Sequence, residues 1–116
     1  MSPAYMEAVA GADRAVGWML SNLTANTTVI LTADHGGHQQ THGGNAATDV
    51  TIPWIAVGPR IQVGKVIQGR VSTVDTAATA AHILGLSLST TATGRPVMEA
   101  FAATSASAPL AAFAVH

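Results

Sequence analysis

Cysteine is absent from this chain of 116 residues, and charged side chains make up only 9% of it. The lack of cysteine excludes disulfide bonds, thiolate metal sites and cysteine nucleophiles. Globular proteins carry about 25% charged residues, so the predicted surface is poor in charge. Either much of this surface is buried against something else, or the chain is poorly soluble alone. The net charge is −1 and no basic block occurs, which argues against nucleic acid as a partner.

Long hydrophobic runs are also missing. No apolar stretch approaches the ~20 residues that a membrane-spanning helix needs. The N-terminal segment lacks a basic start, and Glu7 and Asp13 interrupt its apolar positions, so it does not resemble a signal peptide. We predict no membrane span and no signal peptide in this chain, and the sequence leaves the location of the protein open.

Two helices are predicted from the spacing of apolar residues. The first covers residues 3–23, where apolar side chains recur at steps of three and four. Ser2 is its expected N-cap and Pro3 its first residue. Gly17 lies inside this helix, where glycine is unfavourable by ~1 kcal/mol relative to alanine, and so suggests close packing. The second helix covers residues 76–84, and its ends are assigned to Asp75 as N-cap and Gly85 as terminator.

Two strands are predicted at residues 27–33 and 52–59, separated by a long polar loop. Both segments are apolar without alternation, which is typical of strands buried on both faces of a parallel sheet. Short strand pieces are expected around the turns between residues 61 and 73. Alternation of helices and strands predicts an α/β fold.

The loop after the first strand contains the segment "TADHGGHQQTHGG", with one Asp, three His and four Gly in residues 32–44. Asp34 and His35 come directly after the strand, and ligands in open α/β sheets bind at the carboxyl ends of strands. Gly36 and Gly37 let the chain turn there, so that neighbouring side chains can reach one side. Carboxylate and imidazole without sulfur suit Zn²⁺ and also Mn²⁺.

Other interpretations of these histidines remain open. An Asp-His pair at a strand end is also compatible with a simple turn hydrogen bond, and histidine-rich loops bind metals adventitiously. His42 returns to the cluster after a short excursion, whereas His38 is either a ligand or substrate contact, or neither. His82, on the second predicted helix, is expected to be a packed or surface residue.

The segment "TTVILTADHGGHQQTHGG", followed by "TIPWIAVGPRI", resembles the metal-binding half of the alkaline phosphatase superfamily. The most similar branch is that of the type I phosphodiesterases and nucleotide pyrophosphatases. "VSTVDTAATAAHILGL" and "TGRP" resemble later segments of the same family, with Ala78 where proline is usual. The resemblance implies an α/β fold, as part of a three-layer sandwich with a mostly parallel central sheet. Residues 1–102 would form the C-terminal part of this hydrolase domain, and residues 103–116 a loose tail rich in Ala and Ser.

The resemblance also implies roles for particular residues. Asp34 and His35 would bind the metal that holds the nucleophile, and His42 would bind a second metal. Two-metal sites of this kind act on the attacking and leaving oxygens of an in-line displacement. The implied cofactors are therefore two divalent ions, with Zn²⁺ preferred and Mn²⁺ as the alternative, and the implied substrate is a small phosphoester.

The family's nucleophile strand and its Asp-x-x-x-His metal-binding set are not found in this sequence. Thr32 and Thr41 lie near the cluster, but neither opens a helix after a strand. We therefore expect part of a metal-dependent phosphodiester hydrolase that is inactive alone, with no catalytic nucleophile of its own. The alternatives are a non-catalytic metal-binding module or a packing remnant. Self-association through an uncovered sheet is also expected.

Overall fold

The computed structural model of the protein describes residues 2–39 and 41–102. The chain divides into two compact units, Met1–Pro59 and Arg60–His116. The predicted Ala/Ser-rich tail at 103–116 lies outside the described residues. Unit 1 contains α1 (Pro3–Ser21), β1 (Val29–Thr32), α2 (Ala47–Val50) and β2 (Trp54–Val57), and unit 2 contains α3 (Thr73–Leu84) and a 3-10 turn (Met98–Ala100).

Helix α1 begins where the sequence predicts. The Ser2 side chain accepts a hydrogen bond from the Tyr5 amide at 3.2 Å, and Pro3 occupies the first turn. None of its described residues is buried, and Trp18 is 73% exposed. The close packing expected at Gly17 is not found, since a Cβ there would meet no atom within 4 Å. Within the described part of unit 1, the apolar side chains of α1 are therefore mostly exposed, with Val16 half-buried.

The two strands form an antiparallel pair, in which Val29 lies opposite Val57 and Thr32 opposite Trp54. The expectation of strands buried on both faces is wrong here, because β2 alternates between half-buried and exposed residues. A mostly parallel sheet is not formed by the described residues, since their two-stranded sheet is antiparallel. An apolar run does not specify strand direction, and antiparallel edge strands are common on otherwise parallel sheets.

The antiparallel register places the end of β1 beside the start of β2. The Thr32 hydroxyl donates a hydrogen bond to the Pro53 carbonyl at 3.0 Å, which joins the two sides at this end. Residues 33–53 therefore leave the strand pair and return to it at the same end of the two strands. The sequence predicts this segment as a polar loop, and the structure adds the short helix α2 within it.

Helix α3 starts three residues earlier than predicted. Ser72 is its N-cap, and Asp75, which we expected to be the cap, lies at the third helical position. Asp75 accepts hydrogen bonds from the amides of Ser72 and Arg95, each at 2.9 Å. The predicted end is confirmed, because Gly85 adopts the left-handed conformation with φ 67°. This conformation favours glycine, which has no Cβ.

The buried apolar residues of the described chain all belong to unit 2, and they are Ala78, Ala81, Val97, Ala100 and Phe101. Thr79 has no exposed surface. Its hydroxyl donates to the Asp75 carbonyl at 2.7 Å and accepts from the Val97 amide at 3.0 Å.

The strand pieces expected at 61–73 are absent from this described segment, where one isolated bridge pairs Ile61 with Phe101. Within residues 2–39 and 41–102, no helix is long and apolar enough to span a membrane.

Asp75 gives unit 2 a predicted dependence on pH. The hydrogen bond from the Arg95 amide, followed by that from Ser72, holds the pKa of Asp75 below its ordinary value. A lowered pKa in the folded state stabilises the fold above the unfolded pKa, and this stabilisation is lost as pH falls through the folded value. We expect the free energy of unfolding to decrease below a pH of about 4. Asp75→Asn should weaken this dependence in urea unfolding measured across the acid range, and identical pH slopes would contradict the assignment.

Candidate metal centre

Asp34 and His35 follow β1 and form the exposed part of the candidate centre. The Asp34 Oδ1 atom accepts a hydrogen bond from the His35 amide at 2.9 Å. The other oxygen, Oδ2, lies 3.5 Å from His35 Nε2. The side chains are 87% exposed for Asp34 and 45% exposed for His35, so both are open to a ligand. The turn after the strand thus directs two neighbouring side chains to one side, as the sequence predicts.

The hydrogen bonding of His35 decides which ring nitrogen is available. Nδ1 lies 2.7 Å from the Gly36 carbonyl oxygen, and a carbonyl oxygen only accepts, so Nδ1 carries the proton of the neutral ring. Nε2 then presents its lone pair beside Asp34 Oδ2. Metal-binding histidines regularly donate their second N–H to a carbonyl or carboxylate in this way.

The separation of the two donor atoms fits one shared cation. Nitrogen and oxygen ligands each ~2.1 Å from a tetrahedral ion lie about 3.4 Å apart, and Asp34 Oδ2 and His35 Nε2 lie 3.5 Å apart. Without a cation or proton between them, the two lone pairs would repel. The chemistry and spacing of this pair therefore fit the divalent ion that the family resemblance implies.

His42 lies against His35. Its ring stacks on the ring of His35, with 4.1 Å between centroids and 25° between planes. Among residues 2–39 and 41–102, no group of three or more His, Cys, Asp or Glu side chains surrounds one ion position. This arrangement is compatible with His42 serving a different ion from Asp34 and His35. The assignment of these three residues as ligands remains a prediction.

His38 belongs to a separate contact. Its Nδ1 atom lies 2.7 Å from Oδ1 of Asp49, and its side chain is 40% exposed. Asp49 is almost fully enclosed, with 1% of its side chain exposed, and its Oδ2 accepts a hydrogen bond from the Gly44 amide at 3.0 Å. The hydrogen bond from His38 is the main reason that the pKa of Asp49 is lowered, although burial opposes it.

Asp49 is the residue that sequence reasoning missed. It falls in the segment predicted as a polar loop, where a carboxylate usually faces water. The available signal was its rarity, since the chain has only six acidic residues and this one lies between the histidine cluster and β2. The lowered pKa keeps Asp49 ionised at neutral pH, so both of its oxygens act as acceptors.

The two threonines near the cluster do not show the contacts of an activated nucleophile. The Thr41 hydroxyl lies 3.5 Å from the His42 carbonyl, and the Thr32 hydroxyl bonds to the Pro53 carbonyl.

In unit 2, His82 packs edge-on against Phe101 with 5.0 Å between ring centroids. The sequence predicts a packed or surface residue at His82, and the structure shows the packed alternative.

Comparison with known families identifies the group of proteins to which this chain belongs. Residues 2–88 match the family described as "Metalloenzyme superfamily". The chain belongs to this superfamily. Membership supports the resemblance to alkaline phosphatases, with the α/β fold of that group, and it makes a divalent metal the expected cofactor of the family.

Three curated proteins that this chain resembles are named as mutases. A phosphopentomutase of Herpetosiphon aurantiacus is 33% identical over 82 residues, which cover 71% of this chain and 21% of the relative. A 2,3-bisphosphoglycerate-independent phosphoglycerate mutase of Rhodopirellula baltica is 35% identical over 103 residues, which cover 83% of this chain and 19% of the relative. A phosphopentomutase of Alkaliphilus metalliredigens is 35% identical over 82 residues, covering 71% and 21%.

The chain thus spans about a fifth of the length of these curated relatives. No solved structure matches it. The finer expectation of a phosphodiesterase or nucleotide pyrophosphatase receives no support from these relatives, whose names are those of mutases. A specific preference for Zn²⁺ is likewise unsupported.

Proposed function

We propose that this chain supplies the metal-binding, C-terminal part of a phosphoryl-transfer enzyme. The observation that carries the proposal is the pair formed by Asp34 Oδ2 and His35 Nε2, 3.5 Å apart and both accessible. The metalloenzyme superfamily match and the phosphomutase names of the relatives support the reaction class.

Each residue of the centre has a role in this proposal. Asp34 and His35 hold one divalent ion, and the Gly36 carbonyl keeps His35 in the tautomer that leaves Nε2 free. His42 binds the second ion. When bound, such ions stabilise negative charge on a phosphoryl group during in-line transfer. Oxygen and nitrogen donors suit both Zn²⁺ and Mn²⁺, so direct titration has to identify the metal.

A phosphate monoester is the favoured substrate class, because phosphopentomutase and phosphoglycerate mutase name monoester substrates. Phosphodiester hydrolysis is the second candidate, and it rests on the ordered motifs from "TADHGG" to "AVGPRI". In either case the nucleophile would come from further polypeptide. We call this chain together with that polypeptide the completed enzyme.

Exposed apolar side chains on α1 and β2 support the need for further polypeptide. Tyr5 and Met6 are 56% and 51% exposed, and Ile55 on β2 is 54% exposed. Exposed apolar faces and open strand edges favour association with other protein. We propose that these surfaces pack against the nucleophile-bearing polypeptide, and that the chain self-associates when it is alone.

Metal titration tests the proposal on the chain itself. Calorimetry with Mn²⁺ and with Zn²⁺ should show weak binding, because most coordination positions are left to water. His35→Ala should remove this binding, and His82→Ala, in unit 2, should leave it unchanged. The chain alone should hydrolyse neither p-nitrophenyl phosphate nor bis-p-nitrophenyl phosphate above the metal-only background. In the completed enzyme, faster hydrolysis of p-nitrophenyl phosphate would indicate a monoester substrate, and faster hydrolysis of bis-p-nitrophenyl phosphate would indicate a diester substrate.

Three results would contradict this function. Absence of any metal binding would remove its basis. A submicromolar Zn²⁺ affinity lost in His38→Ala would favour a non-catalytic metal-binding module. Turnover by the chain alone, abolished in His42→Ala, would show that it already contains a nucleophile.

A further inference from the structure

The one buried residue in the described part of unit 1 is a carboxylate, Asp49. A buried carboxylate is unfavourable unless hydrogen bonds replace its water. Both of its oxygens have such partners, and no buried side-chain nitrogen or oxygen of the described residues lacks one. Since no apolar side chain is buried in this part of unit 1, packing alone does not explain why Asp49 is enclosed.

Asp49 and its neighbour Thr48 hold both ends of residues 36–44. At the start of this segment, the amides of Gly36 and Gly37 donate to the carbonyls of Asp49 and Thr48, each at 2.8 Å. At its end, the Gly44 amide donates to Asp49 Oδ2. Helix α2 thus serves as the support on which the histidine-bearing segment is fixed.

The carboxylate also bonds to the middle of this segment. His38 Nδ1 and the Gly44 amide lie on either side of His42 in the chain, and the two oxygens of Asp49 hold them at 2.7 and 3.0 Å. The His38 amide donates to the Thr41 carbonyl at 3.1 Å, and the Thr41 amide donates to the His38 carbonyl at 3.0 Å. These two bonds further restrict the segment that leads to His42. The position of His42 against His35 therefore depends on the hydrogen bonds that Asp49 makes to residues on both sides of His42.

We propose that Asp49 is the positioning residue of the candidate metal centre, fixing the tautomer of His38 and the placement of His42. The proposal rests on the proposed function for the presence of a metal, but not for the hydrogen bonds themselves. An ionised carboxylate only accepts, so the neutral His38 ring carries its proton on Nδ1. Its Nε2 then remains the ring nitrogen open to solvent or substrate.

Asp49→Asn gives a sharp test because it keeps the shape of the side chain. The Asn oxygen is expected to accept from the Gly44 amide, so that its NH₂ group faces His38 Nδ1. An NH₂ group donates, which makes Nδ1 an acceptor and moves the ring proton to Nε2. A residue that only fills space would not change the tautomer of a neighbouring imidazole.

The measurement is ¹⁵N nuclear magnetic resonance of the histidine rings in the 116-residue chain at mildly alkaline pH. We expect the Nδ1–H tautomer of His38 in the wild type and the Nε2–H tautomer in Asp49→Asn. Cross-peaks between the rings of His35 and His42 should weaken in Asp49→Asn and in Asp49→Ala. The matched control is Asp75→Asn, since Asp75 is also a buried carboxylate with two hydrogen-bond partners, here both backbone amides, but lies in unit 2.

Metal titration of the same variants gives the second readout. Loss of a group bonded directly to a metal ligand lowers metal affinity by about 10- to 100-fold. Asp49 acts on His42 only through the segment that it holds, so Asp49→Asn should weaken Zn²⁺ binding by a smaller factor, about threefold to tenfold, while Asp75→Asn should leave it unchanged. If Asp49→Ala unfolds unit 1, Asp49→Asn still decides the question. An unchanged His38 tautomer, or unchanged ring cross-peaks, in Asp49→Asn would overturn the proposal.

The two proposals can fail separately. A wild-type chain that binds neither Zn²⁺ nor Mn²⁺ would overturn the proposed function, and the tautomer and cross-peaks would still decide the role of Asp49. A wild-type chain that binds Zn²⁺ with an affinity unaffected by Asp49→Asn would overturn the positioning role and leave the function standing.

Discussion

His35→Ala in the completed enzyme is expected to lower kcat/KM by about a thousandfold. The change removes the nitrogen that lies 3.5 Å from Asp34 Oδ2, and with it half of the donor pair. Divalent ions contribute several kcal/mol of charge stabilisation in phosphoryl transfer, and each 1.4 kcal/mol is about a tenfold change in rate. Asp34→Ala should have a similar effect because it removes the other half of the same pair.

Steady-state kinetics with excess metal measures this loss of kcat/KM. The same measurement on His42→Ala tests the proposed ligand of the second ion, and we expect a strong loss there too. His38→Ala should cost less, because its nitrogen is bonded to Asp49 rather than directed at the Asp34–His35 pair. His82→Ala is the control histidine, packed on Phe101 in unit 2, and should leave kcat/KM unchanged. If His35→Ala and His82→Ala gave equal activities, the metal assignment of His35 would be wrong.

Gly36→Ala should destabilise unit 1 by about 3 kcal/mol, at the upper end of the usual cost of overpacking. A Cβ at this position would overlap the Thr48 carbonyl oxygen and would also lie 3.0 Å from the Thr51 carbonyl oxygen. Both atoms belong to the backbone, so a side-chain rotation cannot relieve the overlap. To relieve the overlap, the backbone at Gly36 would have to move away from α2, and the Gly36 amide would then lose its 2.8 Å hydrogen bond to the Asp49 carbonyl.

Gly17→Ala is the matched control for this substitution. No atom lies within 4 Å of a Cβ built at Gly17, and the residue is in the interior of α1. Alanine there should stabilise the helix by about 0.5–1 kcal/mol, because glycine loses more conformational freedom on folding. Urea unfolding compares the two variants, and equal stabilities would show that residues 36–44 do not pack against α2 as described.

Local signals predicted several features of this chain correctly. Ser2 and Pro3 mark the start of α1, and Gly85 ends α3, because capping depends on side chains within one helical turn. The "TADHGG" segment placed Asp34 and His35 at the end of a strand. The Ser72 cap was missed because Asp75, three residues later, carries the more conspicuous acidic side chain.

The sequence by itself determined the class of elements, the location of the candidate residues Asp34 and His35 after β1, and the superfamily, because apolar spacing, caps and ordered motifs are properties of short segments. The tertiary structure alone decided the antiparallel pairing of β1 with β2, the exposure of α1 and the burial of Asp49. These features depend on contacts between residues far apart in the chain. The bond from His38 to Asp49 spans 11 positions, and the pairing of Val29 with Val57 spans the whole loop between the strands. Such contacts follow from how the loop closes in space, which no periodic pattern specifies.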